Sequence, residues 1–367
     1  MKQVSKNKKG RVLLVTGAVG YVGEMLCEQL VLRKDVKRVV AIDKEPCSKR
    51  LSKLKKLTYL HHNLADDGWE EVVAKYMPDT VIHTAWQIRE MYGKRDVQWR
   101  LNIESSKRVF EFCYANSFVK KVIYFSTAAC YSARVDNTLD HYFSEEEGLR
   151  DDEYSYAYEK KVSEEALLAR DNVASVAQTH RPQVTIFRPS AITGPRGRFL
   201  RIRFGLQSAL SGSIKGGFVN NLVSMLTMFM PVTKSWVRQF VHEDDVYDVI
   251  VKCVFEDQDW QYETFNLTPL GEPVYAKDMA KAVGKRAILI SPFMVRVAFF
   301  IFWHLTRGKI PTCAHSWRFY SHPILMSGEK LSGFYTCQYG SMEAFKYTTG
   351  RYEKEIPKDK KVRYIDK

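Results

Sequence analysis

A glycine-rich turn constrains the fold of this chain more than any other feature of its 367 residues. It reads V-T-G-A-V-G-Y-V-G from Val15 to Gly23 and lies between an apolar run and a helical pattern. A strand, a glycine turn and a helix N-terminus form a site for a pyrophosphate, because the first N–H groups of a helix have no partner within it. Gly17 would permit the tight turn, Gly20 would let backbone approach phosphate, and Gly23 would let the helix pack on the strand. The spacing G-x-x-G-x-x-G is weak evidence alone, but its position at the first strand-to-helix junction predicts dinucleotide binding.

Short apolar runs alternate with helical patterns through the first half of the chain. The predicted strands are Val12–Val15, Val39–Ile42, Tyr59–His61, Thr80–His83, Lys121–Phe125 and Val184–Arg188, and the predicted helices are Glu24–Arg33, Trp69–Tyr76, Gln98–Asn116 and Tyr156–Arg170. This alternation predicts an α/β fold with a Rossmann-type, doubly wound parallel sheet, in which ligands bind outside the carboxyl ends of the strands.

The pattern loosens beyond Gly194, which suggests a second structural unit. Residues 12–190 are predicted to form the dinucleotide-binding domain, with a return to its sheet near residues 239–267. A smaller, mixed C-terminal lobe for the substrate is predicted at 191–350, between basic tails at 1–11 and 351–367.

The net charge of +14 allows several kinds of partner. We do not expect specific nucleic-acid binding, because the basic residues form no single stripe interleaved with aromatic side chains. Anionic lipid head groups, a phosphate-bearing ligand or a simple basic surface fit at least as well. The seven cysteines are scattered and never form C-x-x-C. They predict reduced thiols in a cytoplasmic protein, with neither a disulfide framework nor a metal site.

An unusually apolar segment, Ala287–Leu305, reads A-I-L-I-S-P-F-M-V-R-V-A-F-F-I-F-W-H-L. A buried helix of the substrate lobe and a helix lying in a membrane interface both fit this pattern. A membrane span is disfavoured, because Arg296 would lie near its centre at high cost. Membrane association through residues 287–305 therefore stays an open alternative.

Asp43 ends the second predicted strand, about 20 residues beyond the glycine turn, the distance typical of a ribose-binding carboxylate. A carboxylate at this position accepts from both hydroxyls of an adenosine ribose and repels a 2′-phosphate. This residue therefore favours NAD over NADP, although an aspartate that only caps the loop has the same appearance.

Tyr156 and Lys160 form Y-x-x-x-K in a predicted helix, so that both side chains lie on one face. An ammonium close to a phenol lowers the pKa of the phenol, which can then exchange a proton with a substrate hydroxyl or carbonyl. Thr127 follows the fifth strand, where its hydroxyl could hydrogen-bond the reacting oxygen; Ser126 is the competing candidate. The motif Y-x-x-x-K is common, and each of these residues is weak evidence alone.

Taken together, these motifs resemble the extended short-chain dehydrogenase/reductase family, the NAD-dependent epimerase/dehydratase group. The matching segments, in the order of that family, are T-G-A-V-G-Y-V-G, Asp43, H-T-A at His83–Ala85, Asn102, S-T-A-A-C-Y, Y-A-Y-E-K, F-R-P-S-A-I-T-G-P and F-V-H-E-D-D-V. The resemblance implies bound NAD, a catalytic triad of Thr127, Tyr156 and Lys160, and a homodimer formed through the two long helices. The cofactor contacts that it implies are Gly17, Gly20, Tyr21, Val22, Gly23, Asp43, Asn63, Leu64, His83, Ala85, Asn102, Lys160 and Arg188.

Two departures from the family pattern bear on the substrate. Dehydratases of the group carry Asp-Glu where this chain has Ala128 and Ala129, so sugar dehydration is disfavoured. Nucleotide-sugar epimerases usually carry an asparagine at the position of Ala191. We therefore expect hydride transfer at a secondary alcohol or ketone of a lipophilic, steroid-like or isoprenoid-like substrate, which would suit the apolar segments Phe218–Met230 and Ala287–Trp303. A nucleotide-sugar epimerase is the alternative, and a cofactor-binding sensor or scaffold is disfavoured because the triad is intact.

Overall fold

The computed structural model describes residues 10–197, 229–282, 284–346 and 348–356. Most of the predicted segment Phe218–Met230 and most of the two basic tails lie outside the described residues. The strands are β1 (Arg11–Thr16), β2 (Val36–Asp43), β3 (Leu57–His61), β4 (Thr80–His83), β5 (Lys121–Phe125), β6 (Gln183–Pro189), β7 (Ala191–Thr193), β8 (Phe229–Val232), β9 (Val237–Arg238), β10 (Phe240–His242), β11 (Tyr262–Leu267), β12 (Val274–Tyr275) and β13 (Arg286–Leu289).

The helices lie between these strands and after them. They are α1 (Tyr21–Leu30), α2 (Trp69–Ala74), α3 (Arg95–Trp99), α4 (Ser105–Ala115), α5 (Ser155–Val176), α6 (Glu243–Phe255), α7 (Ala276–Ala282), α8 (Pro292–Leu305), α9 (Glu329–Phe334) and α10 (Ser341–Lys346). A π-helical turn, Arg100–Glu104, joins α3 to α4, so that the two form one long helix.

The main sheet of the described chain has seven strands in the order β11-β6-β5-β4-β1-β2-β3. Every neighbouring pair in it is parallel. The order reverses direction between β1 and β4, which opens a crevice at the carboxyl ends of these two strands. The predicted doubly wound, Rossmann-type sheet is therefore confirmed.

Alternating side chains of the strands bury the two faces of the sheet separately. Leu13 and Val15 of β1 pack in one apolar cluster with residues of α1 and α6, such as Leu26 and Ile250. Leu14, which points the opposite way, packs in a second cluster with residues of α2, α4 and α5. Because both faces are covered, β1 is apolar along most of its length, as the sequence pattern indicates.

The C-terminal part of the chain contains three small sheets, each of two strands in the described residues. β10 pairs in parallel with β7, β13 pairs in parallel with β8, and β12 pairs antiparallel with β9. A separate apolar cluster that includes Met230, Trp236, Met279 and Phe345 lies among them. The small sheets thus include both parallel and antiparallel pairs, which agrees with the mixed structure expected for this part of the chain.

Several predicted boundaries differ from the structure. The helix predicted at Gln98–Asn116 begins earlier, at Arg95, and the one predicted at Tyr156–Arg170 continues to Val176. The short strand β7 was not predicted, because three residues are too few to show a period.

The apolar segment predicted at Ala287–Leu305 divides into two elements. Its start lies mostly in β13, and its remainder forms α8, which begins at Pro292 with Ser291 as its N-cap. In the described parts of the chain, no helix has the length and apolar character needed to cross a bilayer.

Candidate active site

A cavity of about 720 Å³ lies at the carboxyl ends of the central strands, between the main sheet and the C-terminal lobe. It contains most of the residues that the sequence analysis selected. The predicted residues on its wall are Gly17, Gly20, Tyr21, Val22, Gly23, Asp43, Asn63, Leu64, Ala85, Thr127, Tyr156 and Lys160. Motifs far apart in the sequence therefore meet in a single cavity at the reversal point of the strand order.

The glycine turn packs so closely against the neighbouring backbone that two of its positions have no space for a side chain. Gly17 has a φ of +68°, and a Cβ atom there would lie 2.6 Å from the Cα of Ala85. A Cβ atom on Gly23 would lie 2.1 Å from the carbonyl oxygen of Gly17. Side chains at these two positions would block the turn and the approach of α1, whose N-terminus begins just after Gly20. The turn thus has the shape and the N–H groups that a dinucleotide pyrophosphate requires.

Asp43 ends β2 beside this turn, and its carboxylate is partly engaged by backbone. Oδ2 accepts a hydrogen bond of 2.9 Å from the Val19 N–H, and Oδ1 accepts one of 3.0 Å from the Glu45 N–H. The capping role that the sequence left open is therefore present. A carboxylate has about four acceptor positions, so capacity remains for ribose hydroxyls on the cavity side.

Thr127 and Ser126 both line the cavity after β5, but their hydroxyls have different partners. The Ser126 hydroxyl donates to the Glu164 carboxylate in the protein interior. The Thr127 oxygen accepts a 3.2 Å hydrogen bond from the Ala129 N–H. Because this bond uses an acceptor position and not the hydroxyl proton, Thr127 retains a donor for a ligand oxygen.

Tyr156 and Lys160 lie one turn apart on α5, and both side chains line the cavity. Lys160 is almost completely buried. Its ammonium donates to the Phe125 carbonyl, lies 3.5 Å from the Tyr124 hydroxyl, and is 3.7 Å from the centroid of the Trp86 ring. The β5 strand end and Trp86 thus hold the ammonium in place beside the cavity.

The charge of Lys160 is held in balance by opposing effects. Burial lowers its pKa to about 7, because desolvation disfavours the ammonium. The Coulombic influence of Cys130 and of the Glu164 carboxylate acts in the opposite direction. Burial therefore outweighs these two influences, and the pKa of Lys160 lies well below that of an exposed lysine.

Three predicted cofactor contacts, His83, Asn102 and Arg188, are not among the residues that line the cavity in the described structure. His83 is fully buried between the Thr16 hydroxyl, 2.7 Å from Nδ1, and the Ser106 hydroxyl, 2.9 Å from Nε2. Burial, with a smaller effect of Lys160, lowers the pKa of His83 to about 3. The neutral ring connects β1 to α4 and does not reach the cavity.

Asn102 and Arg188 also form hydrogen bonds with other groups of the protein. The Asn102 amide accepts from the Gln87 N–H at 2.7 Å and donates to the Glu159 carboxylate at 2.5 Å, which fixes the loop after β4. Arg188 donates to Glu164 at 2.8 Å and to the Tyr131 hydroxyl at 2.7 Å. Arg188 therefore belongs to a buried salt bridge in the described structure.

Sequence reasoning missed Trp86 and the wall contributed by the C-terminal lobe. The indole N–H of Trp86 is buried without a hydrogen-bond partner among the described residues, although Trp86 lines the cavity. The lobe contributes mainly Arg238, Gln239, Ser316, Phe319, Tyr320 and Met326. No periodicity or spacing marks these residues, because their common position arises only from the packing of the lobe.

The two departures from the family pattern also lie on the cavity. Ala128, Ala129 and Ala191 all line it, so the substituted positions do face the site. At the first two, no carboxylic acid is available to protonate a leaving hydroxyl.

Comparison with known proteins identifies the family. The sequence matches the NAD dependent epimerase/dehydratase family over residues 13–268. The chain belongs to this family, and it is an NAD-dependent enzyme of the extended short-chain dehydrogenase/reductase type, as the sequence motifs predict.

Similar folds occur in several solved enzymes. UDP-glucuronic acid 4-epimerase from Bacillus cereus, solved with NAD, is 17% identical with a TM-score of 0.65, over 94% of this chain and 99% of that one. UDP-glucose 4-epimerase from Thermus thermophilus, also with NAD, is 18% identical with a TM-score of 0.64, over 92% and 97%. The Bordetella bronchiseptica enzyme WbmG, in complex with NAD and UDP, is 18% identical with a TM-score of 0.63, over 91% of each chain.

Proposed function

We propose that this enzyme oxidises a secondary alcohol carbon of its substrate, with Tyr156 as the general acid and base. The observation that supports this most strongly is that Thr127, Tyr156 and Lys160 share one cavity with the glycine turn. In this proposal Tyr156, in its phenolate form, takes the hydroxyl proton of the substrate and becomes a phenol, and Thr127 donates a hydrogen bond to the same substrate oxygen. The ammonium of Lys160 stabilises the phenolate.

The residues at the opposite end of the cavity fit NAD. The glycine turn and the N-terminus of α1 would hold the pyrophosphate, Asp43 the adenosine ribose, and Asn63 the adenine. When bound, NAD supplies a nicotinamide ring that accepts or returns a hydride. Tyr156 would then act at the substrate carbon that lies next to this ring.

A nucleoside diphosphate sugar is the substrate class that we favour, and epimerisation is the reaction that we favour. The solved neighbours include UDP-sugar 4-epimerases, and two guanidinium groups, Arg89 and Arg238, line the cavity. Arginine is well suited to bind phosphate oxygens in pairs. In an epimerisation, a hydride leaves the sugar carbon and returns to its other face, so that NAD is not consumed. Ala191 is the feature against this assignment, because it cannot supply an amide to the sugar nucleotide.

The test is a panel of UDP-, GDP- and dTDP-sugars incubated with the purified enzyme and followed by NMR. We expect one sugar to equilibrate with its epimer without accumulation of free NADH. A substrate deuterated at the reacting carbon should keep its deuterium, because the same hydride returns. Failure of every sugar nucleotide to change would overturn the assignment.

A lipophilic alcohol is the second candidate, favoured by a different part of the wall. Phe319, Ile324 and Met326 line the cavity and would contact apolar substrate surface. Net oxidation of such a substrate would release NADH. A panel of sterols and isoprenoid alcohols, incubated with excess NAD and monitored by NADH absorbance, separates this reaction from epimerisation.

Homodimerisation through α4 and α5 also remains a proposal. Leu168 and Val173 of α5 are exposed apolar side chains that a partner subunit could cover. Light scattering on the wild-type enzyme and on Leu168→Glu would test it, with a dimer expected for the first and a monomer for the second.

A further inference from the structure

Helix α8 has a buried side and an exposed side, and both are apolar. The buried side consists of Val295, Phe299 and Trp303. Phe299 packs on Tyr320, with ring centroids 5.2 Å apart, and Trp303 packs on Tyr92 at 5.3 Å. The helix is therefore anchored to the protein by one side.

Six apolar side chains lie on the opposite side and are exposed: Phe293, Met294, Val297, Phe300, Ile301 and Leu305. Phe293 is 69% exposed, Phe300 is 66% exposed and Leu305 is 76% exposed. At about 100° per residue, these six lie within an arc of roughly 140°. His304 shares this arc, and Arg296 lies at its edge.

Exposed apolar residues also occur just before the helix. Ile288 and Leu289, at the end of β13, are also exposed and immediately precede the helix. Scattered exposed apolar residues are ordinary on a protein surface, but eight of them within 18 residues mark an interaction surface. We call these eight residues the α8 surface.

The charge of the surrounding sequence indicates what the α8 surface contacts. From Met279 to Gly328 the chain contains no Asp or Glu, although it contains Lys281, Lys285, Arg286, Arg296, Arg307, Lys309 and Arg318. The whole chain has 42 acidic residues among 367, so a stretch of this length would ordinarily contain several. Lys281, Arg286, Arg307 and Lys309 are exposed. Although Arg318 pairs with the Glu153 carboxylate, the exposed charges next to this apolar strip in the sequence are basic. Such a strip complements a layer of acyl chains with anionic head groups.

We propose that the α8 surface binds to a membrane that contains anionic lipids, with the helix lying in the plane of the interface. A helix of 14 residues is about 21 Å long, too short for a hydrocarbon core of about 30 Å. In the interfacial orientation, Phe293, Phe300 and Leu305 enter the acyl region. Arg296, at the edge of the arc, extends to the phosphates, as long cationic side chains do.

Docking in this way brings the membrane close to the active-site cavity. Tyr320, on which α8 packs, lines the cavity, and Tyr92 belongs to the loop that contributes Ile88 and Arg89 to its wall. Membrane binding does not depend on the proposed reaction, and the inactive variant Tyr156→Phe is expected to bind vesicles as the wild type does.

Flotation of the full-length, NAD-loaded enzyme with vesicles tests the proposal. We expect binding to phosphatidylcholine vesicles that contain phosphatidylglycerol, weaker binding to phosphatidylcholine alone, and loss of binding as salt increases. The triple variant Phe293→Ser/Met294→Ser/Phe300→Ser should lose at least about tenfold in vesicle affinity. Its control is Leu32→Ser/Val135→Ser/Leu270→Ser, which removes three exposed apolar residues elsewhere and should bind normally.

A charge series keeps the test valid if the apolar variant does not fold. Arg286→Gln/Arg307→Gln/Lys309→Gln should weaken binding to anionic vesicles, whereas Lys34→Gln/Lys37→Gln/Lys75→Gln, with the same loss of charge, should not. Equal effects of the two sets would overturn the proposal, because they would reflect net charge alone. The proposal is also overturned if the wild type does not bind anionic vesicles and light scattering shows that it forms a dimer which the triple apolar variant does not form. The α8 surface would then contact a second copy of the chain.

Discussion

The ammonium of Lys160 lies 3.7 Å from the centroid of the Trp86 ring, at the cavity wall. An aromatic face attracts a cation, and this attraction strengthens when water is excluded. Burial acts against the charge and lowers the pKa of Lys160 to about 7. The site therefore contains a cation that is bound by an aromatic ring and a carbonyl but is poorly solvated.

This balance predicts a specific dependence of stability on pH. The pKa of Lys160 is about 7 in the folded protein and near 10.5 when the chain is unfolded. Between these values the unfolded state binds more protons, so the contribution of Lys160 to stability rises with pH and is lost as pH falls toward 7. Relative to that of Lys160→Met, the free energy of unfolding of the wild type should rise by up to about 1.4 kcal/mol per pH unit in this window.

Urea unfolding of the cofactor-free proteins at pH 7, 8 and 9 measures this difference. Lys161→Met is the control, because the Asp152 carboxylate raises the pKa of Lys161 and puts its titration above the window. Parallel stability curves for wild type and Lys160→Met would contradict the expected burial of an ammonium.

The second prediction concerns Tyr156 as the acid and base. Tyr156→Phe removes only the hydroxyl, so turnover should fall by about 10²–10⁴-fold, the usual contribution of a positioned proton-transfer group. NAD affinity should stay nearly unchanged, since the ring remains. The neighbouring Tyr158→Phe is the matched control, because Tyr158 lies on the same helix and packs near Trp99. If both variants kept full turnover, the proton would have to be transferred by another group.

The sequence predicted the parts of the site that depend on local spacing. Gly17 and Gly23 follow from the requirements of one turn, and Tyr156 and Lys160 from the pitch of one helix. Thr127 could be distinguished from Ser126 only through the family resemblance, and the structure adds that the Ser126 hydroxyl is engaged by Glu164.

Contacts between distant segments could not be predicted in the same way. His83 and Asn102 match family motifs, yet their polar atoms are satisfied by Ser106 and by Glu159, which lie far away in the sequence. The wall formed by Phe319 and Tyr320 likewise depends on how the C-terminal lobe packs. The sequence next to these residues does not predict which distant residues they contact.

The third prediction concerns the choice of cofactor. Asp43→Asn keeps an acceptor for the Val19 N–H but removes the charge, so NAD should bind more weakly by about 1–3 kcal/mol through loss of charge-assisted hydrogen bonds. The affinity for NADP should rise relative to the affinity for NAD, because the 2′-phosphate of NADP is no longer repelled by a carboxylate at position 43. Calorimetric titration with each nucleotide measures both effects. Asp67→Asn, at a carboxylate that is 96% exposed, should change neither affinity; an unchanged preference in Asp43→Asn would show that this carboxylate only caps the loop.

The last prediction tests whether Arg188 supports the fold or binds a phosphate of the cofactor. In the structure its guanidinium is buried against Glu164, which also accepts from Ser126. Removal of one member of a buried ion pair leaves the other charge unpaired, so Arg188→Met should destabilise the fold by about 3–5 kcal/mol. The double variant Arg188→Met/Glu164→Met should recover much of this loss, because it leaves neither charge behind. A phosphate-binding arginine would behave differently: its loss would weaken NAD binding while urea unfolding of the cofactor-free protein stayed near wild type. Measurement of both quantities on the single and double variants therefore decides the role, and recovery of stability in the double variant identifies Arg188 as part of the support behind the site.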